Sequence, residues 1–186
     1  MKEFHRRVKL LPKSRYVSVT WLLVLFLLGP CLAKAEEGTV DMIECGDRDL
    51  QFKILCNPKW TNTRTDNDLT MVLAKTSVGD VTVSVSRSIE RGIVFTDLTP
   101  EAVQRVYGYG DFFKYAKTKI HGQRAVRIEG HPHGNRNRCL LDYLLVNDFH
   151  LYRVSYLAPD YVQYRRYLPV FVQMMRQFEF LAQEKK

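Results

Sequence analysis

The stretch from Arg138 to Phe178 constrains the fold more than any other part of this sequence, because two strand patterns and a helix pattern follow one another directly. An apolar run from Cys139 to Val146 is interrupted only by Asp142, which predicts a central strand covered on both faces. After Asn147-Asp148, residues 149–157 alternate with the period of a second strand. Asn and Asp tolerate positive φ, so the two strands are predicted to form a hairpin.

A helix is predicted directly after this hairpin. Pro159 ends the strand pattern, and Asp160 is a suitable N-cap. Pro169 predicts a kink or a restart within the helix. A helix with a single apolar face has to bury that face, so it is expected to lie on the sheet. The apolar positions recur at steps of three and four: Tyr161, Tyr164, Leu168, Phe171, Met175 and Phe178.

The remaining sequence predicts more strands and one further helix. Thr99-Pro100-Glu101 is typical of a helix start, and the apolar positions after it extend to Tyr115, with a break expected at Gly108 and Gly110. The order of elements predicts an α+β fold, in which helices pack on an antiparallel β-sheet. Strands are predicted at 50–56, 70–76, 80–87 and 124–130, and loops at 61–68 and 131–137.

Residues 1–35 have the three parts of a secretory signal peptide. A basic segment ends at Arg15, an uncharged apolar stretch follows at 16–33, and Ala33-Lys34-Ala35 fits the small-x-small cleavage pattern. We predict cleavage after Ala35. The alternative is an uncleaved N-terminal membrane anchor at 16–33, and both place the following domain outside the cytoplasm. The predicted divisions are a leader at 1–35, a tether at 36–47, the domain at 48–181 and a polar tail at 182–186.

The net charge of +8 belongs mainly to the leader. Residues 1–35 contain seven Lys or Arg and one acid, whereas 36–186 contain 21 basic and 19 acidic residues. A nearly neutral domain lacks the positive footprint of phosphate-backbone binding. The sequence therefore predicts no nucleic-acid partner.

Three cysteines follow the leader: Cys45, Cys56 and Cys139. In an oxidising compartment we expect one disulfide and one free thiol, and Cys45–Cys56 is the nearest pair in sequence. The alternative is that all three are small buried apolar residues. No two of them have CxxC spacing, so these three residues form no zinc or redox motif of that kind.

Glu129, His131 and His133 form the candidate metal site. If the strand continued past Gly130, these three side chains would share one face, and two imidazoles with a carboxylate can hold a transition metal. Pro132 between the histidines indicates a solvated loop instead. Metal or small-ligand binding through this region is the alternative function, and no other cofactor is predicted.

Catalytic motifs are missing from the sequence. It has no Gly-x-Ser-x-Gly elbow and no phosphate loop, so no catalytic or cofactor-binding residue is predicted and we expect a non-enzymatic protein. Tyr107-Gly-Tyr-Gly110 is interpreted either as a loop that stacks on a ligand or as a broken helix with core tyrosines. The Tyr/Arg run at 161–167 is interpreted either as a binding surface or as core tyrosines beside solvated arginines. Five residues form either a basic patch for an anionic partner or scattered surface charge: Lys114, Lys117, Lys119, Arg136 and Arg138.

Two segments resemble the PsbP family, which shares its fold with the Ran-binding Mog family. The run Phe52–Trp60 is similar to the family's opening strand and Pro-x-Trp turn, and Met174–Phe178 is similar to the end of its terminal helix. The order of hairpin, helix, strand and hairpin also agrees, over about 48–181. The resemblance implies an α/β/α sandwich and a mostly non-catalytic interaction domain, in photosynthetic members an extrinsic subunit of photosystem II in the thylakoid lumen.

The leader and the resemblance together predict an extracytoplasmic protein, located in a periplasm or lumen or secreted from the cell. We expect it to bind another protein that is associated with an envelope or a membrane.

Overall fold

The computed structural model describes residues 41–107 and 111–182 of the chain. The predicted leader, its cleavage site at Ala35 and the anchor alternative at 16–33 lie outside the described residues. Within the described ranges, neither α-helix is long and apolar enough to cross a bilayer. The elements are β1 (Ile43–Asp47), β2 (Phe52–Cys56), β3 (Thr61–Arg64), β4 (Asp68–Thr76), β5 (Gly79–Arg91), a 3-10 turn (Phe95–Asp97), α1 (Pro100–Tyr107), β6 (Asp111–Ile120), β7 (Gln123–His131), β8 (Cys139–Asn147), β9 (His150–Ala158), α2 (Tyr161–Met175) and β10 (Glu179–Phe180).

The described strands form two sheets whose pairings are all antiparallel. The large sheet has seven strands in the order β3-β4-β5-β9-β8-β7-β6, and the small sheet has three in the order β1-β2-β10. Consecutive strands mostly pair as hairpins, whereas β9 joins β8 to β5 across the middle of the large sheet. This arrangement, with helices packed on it, confirms the predicted α+β fold class.

The predicted hairpin of β8 and β9 lies near the middle of the large sheet. Its register runs from Cys139 opposite Ala158 to Asn147 opposite His150. The two turn residues are therefore Asp148 and Phe149, with φ of 48° and 58°, and the reversal lies one residue later than predicted. Positive φ is unusual for a bulky aromatic residue.

The helix α2 follows the hairpin as predicted, and the Asp160 side chain caps it by accepting a hydrogen bond from the Gln163 N–H at 2.8 Å. The helix is continuous through Pro169 and does not restart there. Tyr161, which was assigned to the apolar face, is 62% exposed and stacks on Tyr164. Five residues of this C-terminal segment are buried, four of them as predicted: Tyr164, Phe171, Met174, Met175 and Phe178.

The main core lies between the large sheet on one side and α2 with the small sheet on the other. It is built from alternate residues of β5 and β9, together with α2 and β2. The alternation of valine with serine and threonine in β5 directs the valines inward, as the period of a strand requires. The strand residues of this core include Phe52, Ile54, Val81, Val83, Val85, Tyr152, Val154 and Tyr156.

A second core lies on the opposite face of the large sheet, under the 3-10 turn and α1. The helix begins as predicted, since the Thr99 hydroxyl accepts a hydrogen bond from the Ala102 N–H at 3.2 Å. Leu98 and Val103 cover the apolar side chains of β7, β8 and β9. Strand β8 is therefore buried on both faces, which confirms the prediction from its apolar run. The strand residues of this core are Val126, Ile128, Leu140, Leu144 and Leu151.

Three segments differ from the prediction. Residues 43–47, expected within the tether, form β1, and residues 61–64, expected in a loop, form edge strand β3. The helix predicted to extend to Tyr115 ends at Tyr107, and residues 111–120 form strand β6. An edge strand needs no apolar alternation on its exposed side, so β3 and β6 carry a weak sequence signal.

One carboxylate is fully buried inside the large sheet. Asp142 of β8 lies opposite Ser155 of β9. Its Oδ2 accepts a hydrogen bond from the Arg153 Nε at 2.6 Å, and its Oδ1 accepts one from the Ser155 hydroxyl. Buried carboxylates require such partners because desolvation penalises the charged form. This trio holds the charge that interrupts the apolar run of β8.

Stability is expected to fall at alkaline pH because of the tyrosines in the main core. Burial raises the pKa of Tyr164 to about 12, and burial also raises the pKa of Tyr156, whose hydroxyl donates a hydrogen bond to the Tyr164 carbonyl at 2.8 Å. An unfolded tyrosine ionises near pH 10, so between about pH 10 and 12 the unfolded state loses protons that the folded state keeps. The contribution of these buried tyrosines to the free energy of unfolding is complete below about pH 10 and is lost as the pH rises through this window.

We therefore expect tyrosinate absorbance from the core tyrosines to appear together with the loss of far-UV circular dichroism above about pH 10. The measurement is a paired absorbance and circular dichroism titration. Ionisation of all the tyrosines near pH 10 with an unchanged circular dichroism spectrum would contradict the burial argument.

Candidate functional site

Two of the three candidate metal ligands lie on β7, where they already have protein partners. The Glu129 carboxylate pairs with the Arg127 guanidinium and lies 3.7 Å from the Lys114 Nζ. Nδ1 of His131 lies 2.7 Å from the carbonyl oxygen of Arg138, so this nitrogen is the donor. His133 is exposed in the following loop, as its flanking Pro132 and Gly134 indicated. Among the residues that the structure describes, no three His, Cys, Asp or Glu side chains are grouped to hold a metal ion.

Metal binding by Glu129, His131 and His133 stays a prediction that a thermal melt can test. It predicts that zinc ions raise the melting temperature of the native chain, and that His131→Ala/His133→Ala removes the rise because both imidazole ligands are lost. His121→Ala, in the β6–β7 turn, is the matched control. A zinc effect that persists in the double variant would exclude these ligands.

Cys45 and Cys56 are joined by a disulfide in the structure, with their Cα atoms 5.8 Å apart. The bond fixes β1 to β2 beside the main core, which contains Cys56. Cys139 is a free, buried thiol, and burial, with a smaller contribution from Asp160, raises its pKa. A buried thiol with a raised pKa is a poor nucleophile, since the thiolate is the reactive form.

We expect Cys45→Ala/Cys56→Ala to lower the free energy of unfolding by roughly 2 to 3 kcal/mol, because the bond closes a short loop in the unfolded chain. The measurement is urea denaturation of the oxidised protein and the variant. A reducing agent should destabilise the wild type but leave the variant unchanged. An intact mass with all three thiols of 36–186 free would rule out the pairing.

The predicted basic patch is divided between two faces of the large sheet. Lys114 points to the α2 side, where Glu129 is its partner. Tyr115, Lys117 and Lys119 alternate along β6 and therefore share one face. Because Tyr115 packs in the second core, this is the opposite face of the sheet, which α1 partly covers. Arg138 lies elsewhere, in a cleft of about 640 Å³ with Val78, Gly79, Asn135, Asn137, Pro159 and Asp160.

A basic groove of about 450 Å³ lies beside Lys117 and Lys119, at the outer strand β6. We define this basic groove by Phe95, Thr96, Lys117, Thr118, Lys119 and Arg124. None of the described residues that line it carries a carboxylate. The Arg124 guanidinium lies over the Phe95 ring, 4.9 Å from its centroid, which fixes the floor of the groove by a cation–π contact. The remaining lining residues are Thr96, Thr118 and the two lysines.

Like charges face each other across the strands of the basic groove. Lys119 of β6 lies directly opposite Arg124 of β7 in the register. A directly opposed pair of like charges destabilises a sheet, whereas an opposed pair of opposite charges stabilises it. The tight turn at His121-Gly122, with φ of 48° and 80°, imposes this pairing. The site is thus chemically suited to an anionic group placed between the two cations.

The sequence prediction missed Phe95 and Arg124 as parts of this site. It contained one usable signal: a two-residue turn at 121–122 requires residue 119 to face residue 124. The predicted helix extends to Tyr115, into the first half of β6, so the pairing of β6 with β7 was not predicted.

The chain matches no known protein family by sequence, and it matches no curated protein. Solved structures do share its fold. Cyanobacterial PsbP (CyanoP) from Synechocystis sp. PCC 6803 matches with a TM-score of 0.57 at 14% identity, over 82% of this chain and 99% of that chain. The Ran-binding protein Mog1p of Saccharomyces cerevisiae matches with a TM-score of 0.50 at 10% identity, over 77% of this chain and 97% of that chain.

A third similar structure is a protein of unknown function from Pseudomonas aeruginosa, with a TM-score of 0.50 at 14% identity, over 78% of this chain and 99% of that chain. Each comparison covers nearly the whole of the other protein, so the likeness extends over a complete domain. This chain has the PsbP/Mog-like fold.

Proposed function

We propose that this chain is an exported, non-catalytic PsbP-like domain that binds another protein at an envelope or membrane surface. The observation that carries the proposal is the fold shared with Mog1p, a protein described as Ran-binding, over 97% of that chain. The basic groove supports it, because among the described residues this surface has lysines without an acidic partner and lies beside a sheet edge that no described strand covers.

The arrangement of the polar groups supports a binding role more than a catalytic one. Catalytic acids and bases have perturbed pKa values in open sites. In the described part of this chain, the largest pKa displacements belong to Tyr156 and Tyr164, which pack under α2 in the main core. The buried Asp142 is engaged by Arg153 and Ser155.

Export is supported by the leader pattern at 1–35 and by the Cys45–Cys56 disulfide, since such bonds persist in oxidising compartments. The test is the intact mass of the protein from its own cells, combined with fractionation. The expected result is the mass of a chain that begins at Glu36, found in an extracytoplasmic fraction. A full-length mass in the membrane fraction would replace cleavage with anchoring through 16–33, and a cytoplasmic protein would refute export.

Protein binding is tested by affinity purification of the full chain from the envelope of its own cells. We expect one partner at a stoichiometric level, while screens for metals and small substrates give no binding or turnover. Turnover of a substrate, or purification of the chain without any stoichiometric partner, would contradict the proposal.

A further inference from the structure

The outer strand β6 leaves both backbone hydrogen-bonding groups and positive charge unused. Within the described part of the chain, β6 pairs only with β7, so its other side presents the unpaired N–H and C=O groups of a sheet edge. The opposite edge strand, β3, is four residues long, and its Arg64 is ion-paired with Asp47 and Asp49. The two edges therefore differ in length and in charge.

The charge on the β6 edge is concentrated where the basic groove lies. Lys117 and Lys119 are both exposed on one face of β6, two residues and therefore roughly 7 Å apart. Arg124 completes the set from the neighbouring strand. The like-charge pair of Lys119 and Arg124 destabilises the free protein slightly, and an anion between them would remove that cost.

We propose that β6 binds an acidic, extended segment of a protein partner by strand addition, with the carboxylates of that segment facing Lys117, Lys119 and Arg124. Strand addition gives affinity through main-chain hydrogen bonds, and alternate side chains give specificity. Acidic residues at every second position of the partner match the spacing of the two lysines. The proposal rests on the proposed function, because it names the surface through which such a module binds.

The same charges exclude a second copy of this chain as the occupant. Lysines on an edge strand repel an identical edge and so prevent self-association. An acidic strand is attracted by the same groups. A nucleic acid is less suited, because residues 36–186 carry nearly balanced charge and the Phe95 ring is covered by Arg124.

The direct test is a fluorescence anisotropy titration of the full chain with a labelled peptide of alternating glutamate and valine. Lys117→Glu/Lys119→Glu is expected to weaken binding about tenfold or more, because two attractive charge pairs become repulsive. Lys59→Glu/Lys75→Glu is the matched control: it makes the same change in net charge at two other exposed lysines and should change affinity by less than about twofold. Equal losses in the two variants would overturn the proposal.

Two further probes separate strand addition from general attraction. A peptide of equal charge with proline at the central valines cannot form the ladder, so its affinity should fall about tenfold. Equal binding of the proline peptide would overturn strand addition, and tighter binding of a single-stranded oligonucleotide of equal charge would overturn a protein partner. The melting temperature of Lys117→Glu/Lys119→Glu should not fall, because the change at position 119 places a carboxylate opposite Arg124, and an unchanged value excludes unfolding as the cause of lost binding.

Purification from the envelope distinguishes this proposal from the broader one. A partner that is recovered equally by the wild type and by Lys117→Glu/Lys119→Glu would overturn the β6 site and leave the proposed function intact. Failure of both baits to recover a partner would count against the proposed function, while the peptide titration still decides whether the β6 edge accepts an acidic strand.

Discussion

Asp142→Ala is expected to lower the free energy of unfolding by about 3 to 4 kcal/mol, because it removes the buried carboxylate that accepts hydrogen bonds from Arg153 and Ser155. Asp142 is fully buried, and its carboxylate accepts hydrogen bonds from the Arg153 Nε at 2.6 Å and from the Ser155 hydroxyl. Arg153 is 31% exposed, so water relieves part of the desolvation penalty of its charge. The loss of stability should therefore lie near the lower end of the range for a broken buried ion pair. Urea denaturation of the wild type and the variant measures it.

The control for Asp142→Ala is the double variant Asp142→Ala/Arg153→Met. It removes both charges and leaves an apolar side chain in place of the arginine stem, so it should be more stable than the single variant. A single variant that loses less than about 1 kcal/mol would show that the buried pair contributes little beyond a surface pair. A double variant as unstable as the single one would attribute the loss to the cavity at Asp142.

The hairpin and helix of the C-terminal half could be predicted because several local signals agree there. The apolar run of β8, the turn at 147–148, the cap at Asp160 and the helical spacing after it all specify the same arrangement. The reversal was misplaced by one residue, since Phe149 adopts positive φ in a position where Asn or Asp is the usual occupant. In the structure the register pairs Asn147 with His150, which leaves Asp148 and Phe149 as the turn residues.

The strands that the prediction missed carry little amphipathic pattern. Strand β3 is exposed at all four positions, and β6 bears lysines on both faces, so neither shows the alternation of a half-buried strand. Glycines at 108 and 110 were interpreted as a break inside a helix, whereas the helix ends at Tyr107 and a strand begins at Asp111. The positions of β3 and β6 in the fold depend on their pairing with other strands, which the local sequence pattern does not encode.

The candidate site was predicted only in part for the same reason. Lys117 and Lys119 were recognised as basic, but Phe95 comes from the connection before α1, and the face on which each lysine lies follows from the register of β6 and β7. Asp142 was noted as the one acid in an apolar run, and its position opposite Ser155 required the exact hairpin register.

Phe171→Ala is expected to have the largest effect of any single substitution considered, about 4 kcal/mol of unfolding free energy, because it opens a cavity under α2. The Phe171 side chain is fully buried. Its ring stacks on the Tyr156 ring with centroids 5.1 Å apart, and the centroid of the Tyr143 ring lies 6.0 Å away. A domain of this size is typically stable by only about 5 to 15 kcal/mol, so the variant should approach the limit of folding.

Val172→Ala is the matched control, since Val172 is the next residue of the same helix and is 38% exposed. It should cost less than about 1 kcal/mol, because little apolar surface is lost. Equal losses for the two variants in urea denaturation would mean that α2 is not held on the sheet by its Phe171 face.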